Sequence, residues 1–213
     1  MYTIPNDKRH FLKAKIINGA REYKKYLIDK DFQIICEDGT SHIVRFFKAD
    51  FLHLTGIRTD LSEDNFFMNS VHGILDVSNI KEEQKYNWPT LKSKAVRIEK
   101  IHKILYENVK NSLFMINLHT NTLAFPVAIK NSNIDTCVGF IGNINKARTL
   151  RKYNNSNDAD KQNRIVAILE KKQIEGEYNK LVYITSVKEL YEKKPDVIDC
   201  IAEGLRERLS YIV

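Results

Sequence analysis

Apolar side chains recur at helical spacing along the first thirty residues. Leu12, Ile16, Tyr23 and Leu27 fall on one stripe of a helix over about 7–30, with Asn6 as its cap. The opposite face carries Lys8, Lys13, Lys15, Lys24 and Lys25 and reads as a solvated surface. Two strand-like runs follow, 32–36 and 42–48, joined at Asp38-Gly39, a strong signal for a two-residue hairpin. Ser62 can cap a short helix holding Phe66, Phe67 and Met68. The polar run 76–90 contains Lys81-Glu82-Glu83-Gln84-Lys85 and ends in Trp88-Pro89, the pattern of a loop or lid. Leu91, Ala95, Ile98, His102, Leu105 and Val109 then form one stripe, so the spacing predicts a single helix over 91–110. His102 lies within that stripe and reads as a hydrogen-bonded core histidine.

From Leu113 the period shortens to two. Runs at 113–118, 123–129, 136–141, 164–170 and 178–185 read as strands, with turns at Thr120-Asn121, Asn131-Ser132-Asn133 and Gly176. Pro126 lacks an amide donor and suits an edge or a bulge. Between 141 and 164 the pattern predicts a long polar connection. Ser186 followed by Glu189 is a capping-box pattern for a helix to about 193. Pro195 opens a last helix with Ile198, Ile201, Leu205, Leu209 and Ile212 on one stripe. Short connections between strands argue for antiparallel pairing. The expected fold is α+β: an antiparallel sheet of four to five strands with N-terminal (about 7–30), middle and C-terminal (about 186–211) helices packed on it. The whole chain, 1–213, is expected to be one domain.

Composition narrows the class. With 43% hydrophobic and 29% charged residues, the chain has the balance of a globular protein rather than a disordered one. Its apolar runs fall short of the roughly 20 residues a membrane-spanning helix needs. Residues 1–21 have no uninterrupted apolar core behind their basic residues, so they do not read as a secretory signal and a cytoplasmic location is expected. Cys36, Cys137 and Cys200 are few and far apart, which argues against a disulfide framework or a zinc site and for small core residues. The formal charge of +7 permits a nucleic-acid partner.

Candidate chemistry centres on Phe46-Phe47-Lys48-Ala49-Asp50-Phe51-Leu52-His53-Leu54-Thr55-Gly56-Ile57. A strand end becomes a short apolar turn with a histidine and a hydroxyl close together, stopped by a glycine. Histidine both takes and gives a proton near neutrality. A second patch lies between 136 and 157, where no acidic residue occurs but Lys146, Arg148, Arg151 and Lys152 do. Such a basic segment, with Asn143, Asn145, Asn154 and Asn155 beside it, suits a phosphate backbone.

The run 49–57 resembles the histidine motif of a phage-associated family in the barnase–EndoU–colicin–RelE-like (BECR) group of nucleases. The order of the later segments agrees in character, from Phe140-Ile141 through Arg148-Thr149-Leu150-Arg151-Lys152 to the runs at 165–172 and 178–185. This similarity spans roughly 32–186. It implies a BECR-like sheet and a metal-independent endoribonuclease that uses the ribose 2′-hydroxyl and leaves a 2′,3′-cyclic phosphate. No cofactor is expected. On that reading His53 is the acid or base, Thr55 orients the phosphate or the histidine, and Arg148, Arg151 or Lys152 stabilise charge at phosphorus. Thr185 is a weaker candidate for phosphate contact, and Lys48 and Lys146 are further candidates for binding the nucleic acid. The partner acid or base stays open among Lys48, His42 and Tyr183. RNA, with tRNA among the candidates, is the expected partner, together with an inhibitor or antitoxin protein if the chain is a phage or prophage effector. The alternative is a non-catalytic RNA- or protein-binding module of the same fold. No phosphate-binding loop, dinucleotide fingerprint, zinc-protease helix or serine elbow occurs in the sequence.

Overall fold

Leu12, Ile16, Ala20 and Tyr23 are buried along one face of α1 (Asn6–Tyr26). The helix stops short of residue 30 because Asp29 adopts a left-handed φ of 61° and turns the chain into β1 (Lys30–Cys36). A computed structural model of the protein describes residues 4–81, 86–120, 123–155 and 158–211. Residues 82–85 of the expected lid, Asn121 of the expected turn and Ile212 of the last stripe lie outside the described residues.

Gly39, with φ 83°, turns β1 back into β2 (Ser41–Arg45). Next come α2 (Lys48–Thr55), α3 (Glu63–His72), α4 (Trp88–Ile98) and the single turn α5 (Lys103–Tyr106). The expected helix over 91–110 is thus two pieces. Amides of Lys100, Lys103 and Ile104 donate to carbonyls three residues back, tightening the chain and burying Ile101 beside His102. The stripe itself is buried throughout, and His102 stacks on Tyr26 with ring centroids 4.7 Å apart.

The second half supplies β3 (Ser112–His119), β4 (Ala124–Asn131), β5 (Thr136–Ile141), β6 (Lys146–Arg151), β7 (Ala159–Lys172) and β8 (Lys180–Ile184). The chain ends with α6 (Val187–Lys193) and α7 (Glu203–Ser210), so the expected last helix is also interrupted. Between them, Tyr178 N–H donates to Cys200 O and Ala202 N–H to Tyr178 O, which stitches that interruption to the chain ahead of β8.

The sheet order is β1-β2-β6-β5-β4-β3-β7-β8, and β1 also pairs with β7. Seven strands therefore close into a barrel, while β8 pairs with the second half of β7 outside the ring. Every pairing is antiparallel except β2–β6, which is parallel through the single pair Arg45–Lys146. This overturns the expected sheet of four to five antiparallel strands, although the class remains α+β. The hairpin β1–β2 joins both ends of the sheet, and residue patterning carries no sign that two sheet edges will meet.

The strand β6 was hidden inside the expected polar connection. Gly139 opposes Thr149 and Phe140 opposes Ala147, so Arg148 is the extra residue of a β-bulge. The bulge puts the two buried residues of β6, Ala147 and Leu150, three positions apart and erases the period of two.

One face of the barrel strands, including Phe32, Phe46, Phe114 and Phe140, packs with α1 to α4 into the main core. Tyr23 is its centre, edge-on to Phe46, Phe51 and Phe67 with centroids 5.2 to 5.9 Å away. The opposite face of β1 and β7 gives Ile35, Ala167 and Leu169 to a second core under α6 and α7.

Candidate active site

Only Phe46 and Phe47 separate β2 from α2. Phe46 goes into the core, and Phe47 N–H donates to Asp50 Oδ2 at 3.2 Å, fixing the first turn of the helix. Tyr23 O–H donates to Phe47 O at 3.2 Å from the other side. Gly56 ends α2 with φ 72°. Thr55 serves that ending: its hydroxyl donates to Leu52 O at 2.7 Å and accepts from Ile57 N–H at 3.2 Å. Thr55 is 1% exposed, so its side chain is committed to the backbone.

Beyond the Arg45–Lys146 pair β2 has ended, and α2 packs along the edge of β6 that β2 leaves open. Asp50 and His53 are three residues apart and share a helix face along this seam. His53 Nε2 stands 3.0 Å from Glu63 Oε1, with both side chains about two-fifths exposed. Glu63 is the first residue of α3, which Ser62 caps by accepting from Asn65 N–H at 3.2 Å. A carboxylate is favoured at such a helix start.

Asp50 is 5% exposed, and burial pushes its carboxyl up to about 6. The Phe47 amide, Lys146 and Arg148 oppose that rise, while Glu63 adds to it. Asp50 therefore shares its field with Lys146 and Arg148 of β6 and with the partner of His53. Burial, with Asp50 adding to it, holds the Tyr23 hydroxyl well above its usual range. At the far end of the seam Lys94 Nζ donates to Leu150 O at 3.1 Å, and its stem fills the space beside Gly56.

The structure thus gathers His53, Lys146 and Arg148 around α2 and the open edge of β6. Lys48 is the first residue of α2. Arg151 lies further along β6, its Nε donating to Thr149 Oγ1 at 3.4 Å and its guanidinium 6.0 Å from the Phe125 ring. Lys152 follows it, exposed. Thr185 belongs to a different cluster, donating to Glu189 Oε2 at 2.6 Å where Glu189 also binds Arg164. Of the three residues left open as a partner for His53, His42 stacks on Phe114 and Tyr183 packs against the main core from β8. Sequence reasoning missed Asp50, Glu63 and Lys94. A signal for Asp50 existed in its place three residues before His53; Glu63 had only the capping serine ahead of it.

An imidazole paired with a carboxylate, beside a second carboxyl pushed up to about 6 and two cations, is equipped for proton transfer at a negatively charged substrate. A family model described as phage-Barnase-EndoU-ColicinE5/D-RelE like nuclease4 matches residues 15–186, and the chain belongs to this BECR nuclease family. Comparisons with curated proteins and with solved structures found no match. Among the described residues, no helix is long and apolar enough to cross a membrane.

Proposed function

We propose that the protein is a metal-independent endoribonuclease whose active site is the α2–β6 seam. The ribose 2′-oxygen attacks the adjacent phosphorus as His53 takes its proton, and the bond from phosphorus to the 5′-oxygen breaks. That oxygen leaves as a hydroxyl after receiving a proton, leaving a 2′,3′-cyclic phosphate on the upstream strand. Glu63 orients the ring and steadies the imidazolium. Asp50, whose carboxyl is pushed up to about 6, is the group assigned to supply that proton. Arg148, aimed by its bulge, and Lys146 stabilise the charge that grows on the phosphoryl oxygens. Lys48, Arg151 and Lys152 bind flanking phosphates. Thr55 shapes the helix end and Thr185 takes no part in the chemistry.

One observation carries this reading: His53 is paired with Glu63 beside a carboxyl that Lys146 and Arg148 influence together. Metal independence is part of the same proposal, and the excess chelator in the test below decides it. The family's phage association suits a prophage-borne effector; cellular RNA as its target and an inhibitor protein as its restraint are part of the same proposal. The test is incubation of wild type and His53→Ala with total RNA, tRNA included, in excess chelator, followed by analysis of the new ends. Cyclic phosphates from wild type alone are expected. Binding without cleavage by both proteins would make the chain an RNA-binding module, and neither cleavage nor binding would remove RNA as the substrate.

A further inference from the structure

A cleft of about 340 Å³ opens beside the proposed active site, within the size range of small-molecule sites. Gln33, Ile43 and Arg45 of the β1–β2 hairpin form one side, and Asn143 and Ile144 of the turn entering β6 form the other. The turn is tied to the hairpin: Asn145 Nδ2 donates to Ile43 O at 3.0 Å, and Arg45 N–H donates to Asn145 O at 3.2 Å.

Two features mark the cleft as a binding site. Gln33 is 7% exposed, its Nε2 donates weakly to Ser41 Oγ at 3.5 Å, and its Oε1 is buried with no partner. Turning the amide over merely leaves the nitrogen in that position, so one polar atom goes unsatisfied either way. His42, which also lines the cleft, has a buried Nε2 in the same condition. The other feature is apolar: Ile43 and Ile144, 39% and 45% exposed, are two large hydrophobic side chains in the lining.

We propose that this cleft holds one nucleobase of the RNA strand, splayed out from its neighbours, while the phosphate next to it lies at Arg148. Ile43 and Ile144 would grip the flat faces of the ring. Gln33 and Asn143 would hydrogen-bond its edge, the usual way a protein reads an unstacked base. Arg45, held by both oxygens of Asp31 at 2.6 Å, sets a fixed guanidinium at the cleft wall beside the ring edge. A lone phosphate would leave the isoleucines without a contact, and a purely apolar ligand would leave Gln33 unpaired. Reach also fits, since Asn145 and Arg148 are three residues apart on one chain, at most about 11 Å.

The inference takes the identity of the strand from the RNA-cleavage reading, but its binding test is independent of catalysis. Full-length His53→Ala with labelled isoleucine methyls is titrated with each ribonucleoside 5′-monophosphate and with ribose 5-phosphate. At least one nucleotide is expected to move the Ile43 and Ile144 signals, while ribose 5-phosphate leaves them in place. Asn143→Ala and Ile144→Ala, both in an exposed turn, should weaken that nucleotide about ten-fold. Gln33→Met should abolish the effect while raising the melting temperature, a gain that misfolding would not give. Equal shifts with ribose 5-phosphate, or none with any nucleotide, would overturn the proposal. RNA cut by wild type together with silent isoleucines refutes the cleft and leaves the nuclease. Nucleotide-dependent shifts without any RNA cleavage keep the cleft and refute the nuclease.

Discussion

Glu63 Oε1 lies 3.0 Å from His53 Nε2, so the first residue of one helix fixes the ring on the last turn of the helix before it. If Glu63 works through His53, Glu63→Gln should lower kcat roughly ten- to hundred-fold with KM little changed, the loss of one charge-assisted hydrogen bond. His53→Ala should cost about 10²–10⁴-fold. Adding Glu63→Gln to His53→Ala should then cost almost nothing more. Steady-state kinetics on a short oligoribonucleotide would show independent losses if the pairing had no catalytic role.

Asp50 makes the fold sensitive to pH in an uncommon direction. Its folded value of about 6 lies above the unfolded carboxylate value of about 3.9. Unfolding therefore releases a proton between about pH 4 and 6, and this group's contribution to stability falls as pH rises through that window. Asp50→Asn keeps an oxygen for the Phe47 amide and removes the charge. The variant should match wild type near pH 4 and exceed it by about 2–3 kcal/mol above pH 6. Urea denaturation at several pH values measures the difference, and parallel curves would contradict it.

Gly56 sits at φ 72°, where a Cβ would come 2.7 Å from Lys94 Cδ. Gly56→Ala should cost about 1–2 kcal/mol from the backbone alone. Displacing Lys94 should also loosen its bond to Leu150 O, so hydrogen exchange should rise along β6 before the rest of the barrel. Thermal melts and exchange at Leu150 report the two effects separately.

Phosphate contacts leave a signature in salt. Removing Lys146 or Arg151 should each reduce the slope of log K against log salt by about 0.7 for a single-stranded RNA. Thr185→Ala should leave the slope unchanged, because that hydroxyl serves Glu189 in the Arg164 cluster. Fluorescence titrations over a range of salt concentrations would expose any exchange of these roles.

Much of the local structure was legible in the chain. The stripe of α1, the β1–β2 turn and the buried positions from Leu91 to Val109 follow from periodicity, because each depends on neighbours close in sequence. His53 stood out by the company of Leu54, Thr55 and Gly56. Closure of the barrel was not legible, since β2 and β6 meet through one residue pair and β1 meets β7 only in space. Arg148 was visible as a charge, but not as a strand residue, because its own bulge breaks the alternation that would have revealed the strand. Glu63 is one of 27 acidic residues, and only the approach of α3 to α2 singles it out.

The pairing of β1 with β7 sets Lys30 opposite Lys172. During synthesis the ring thus cannot shut until the seventh stave has left the ribosome, so the first stave waits, half paired, for the last.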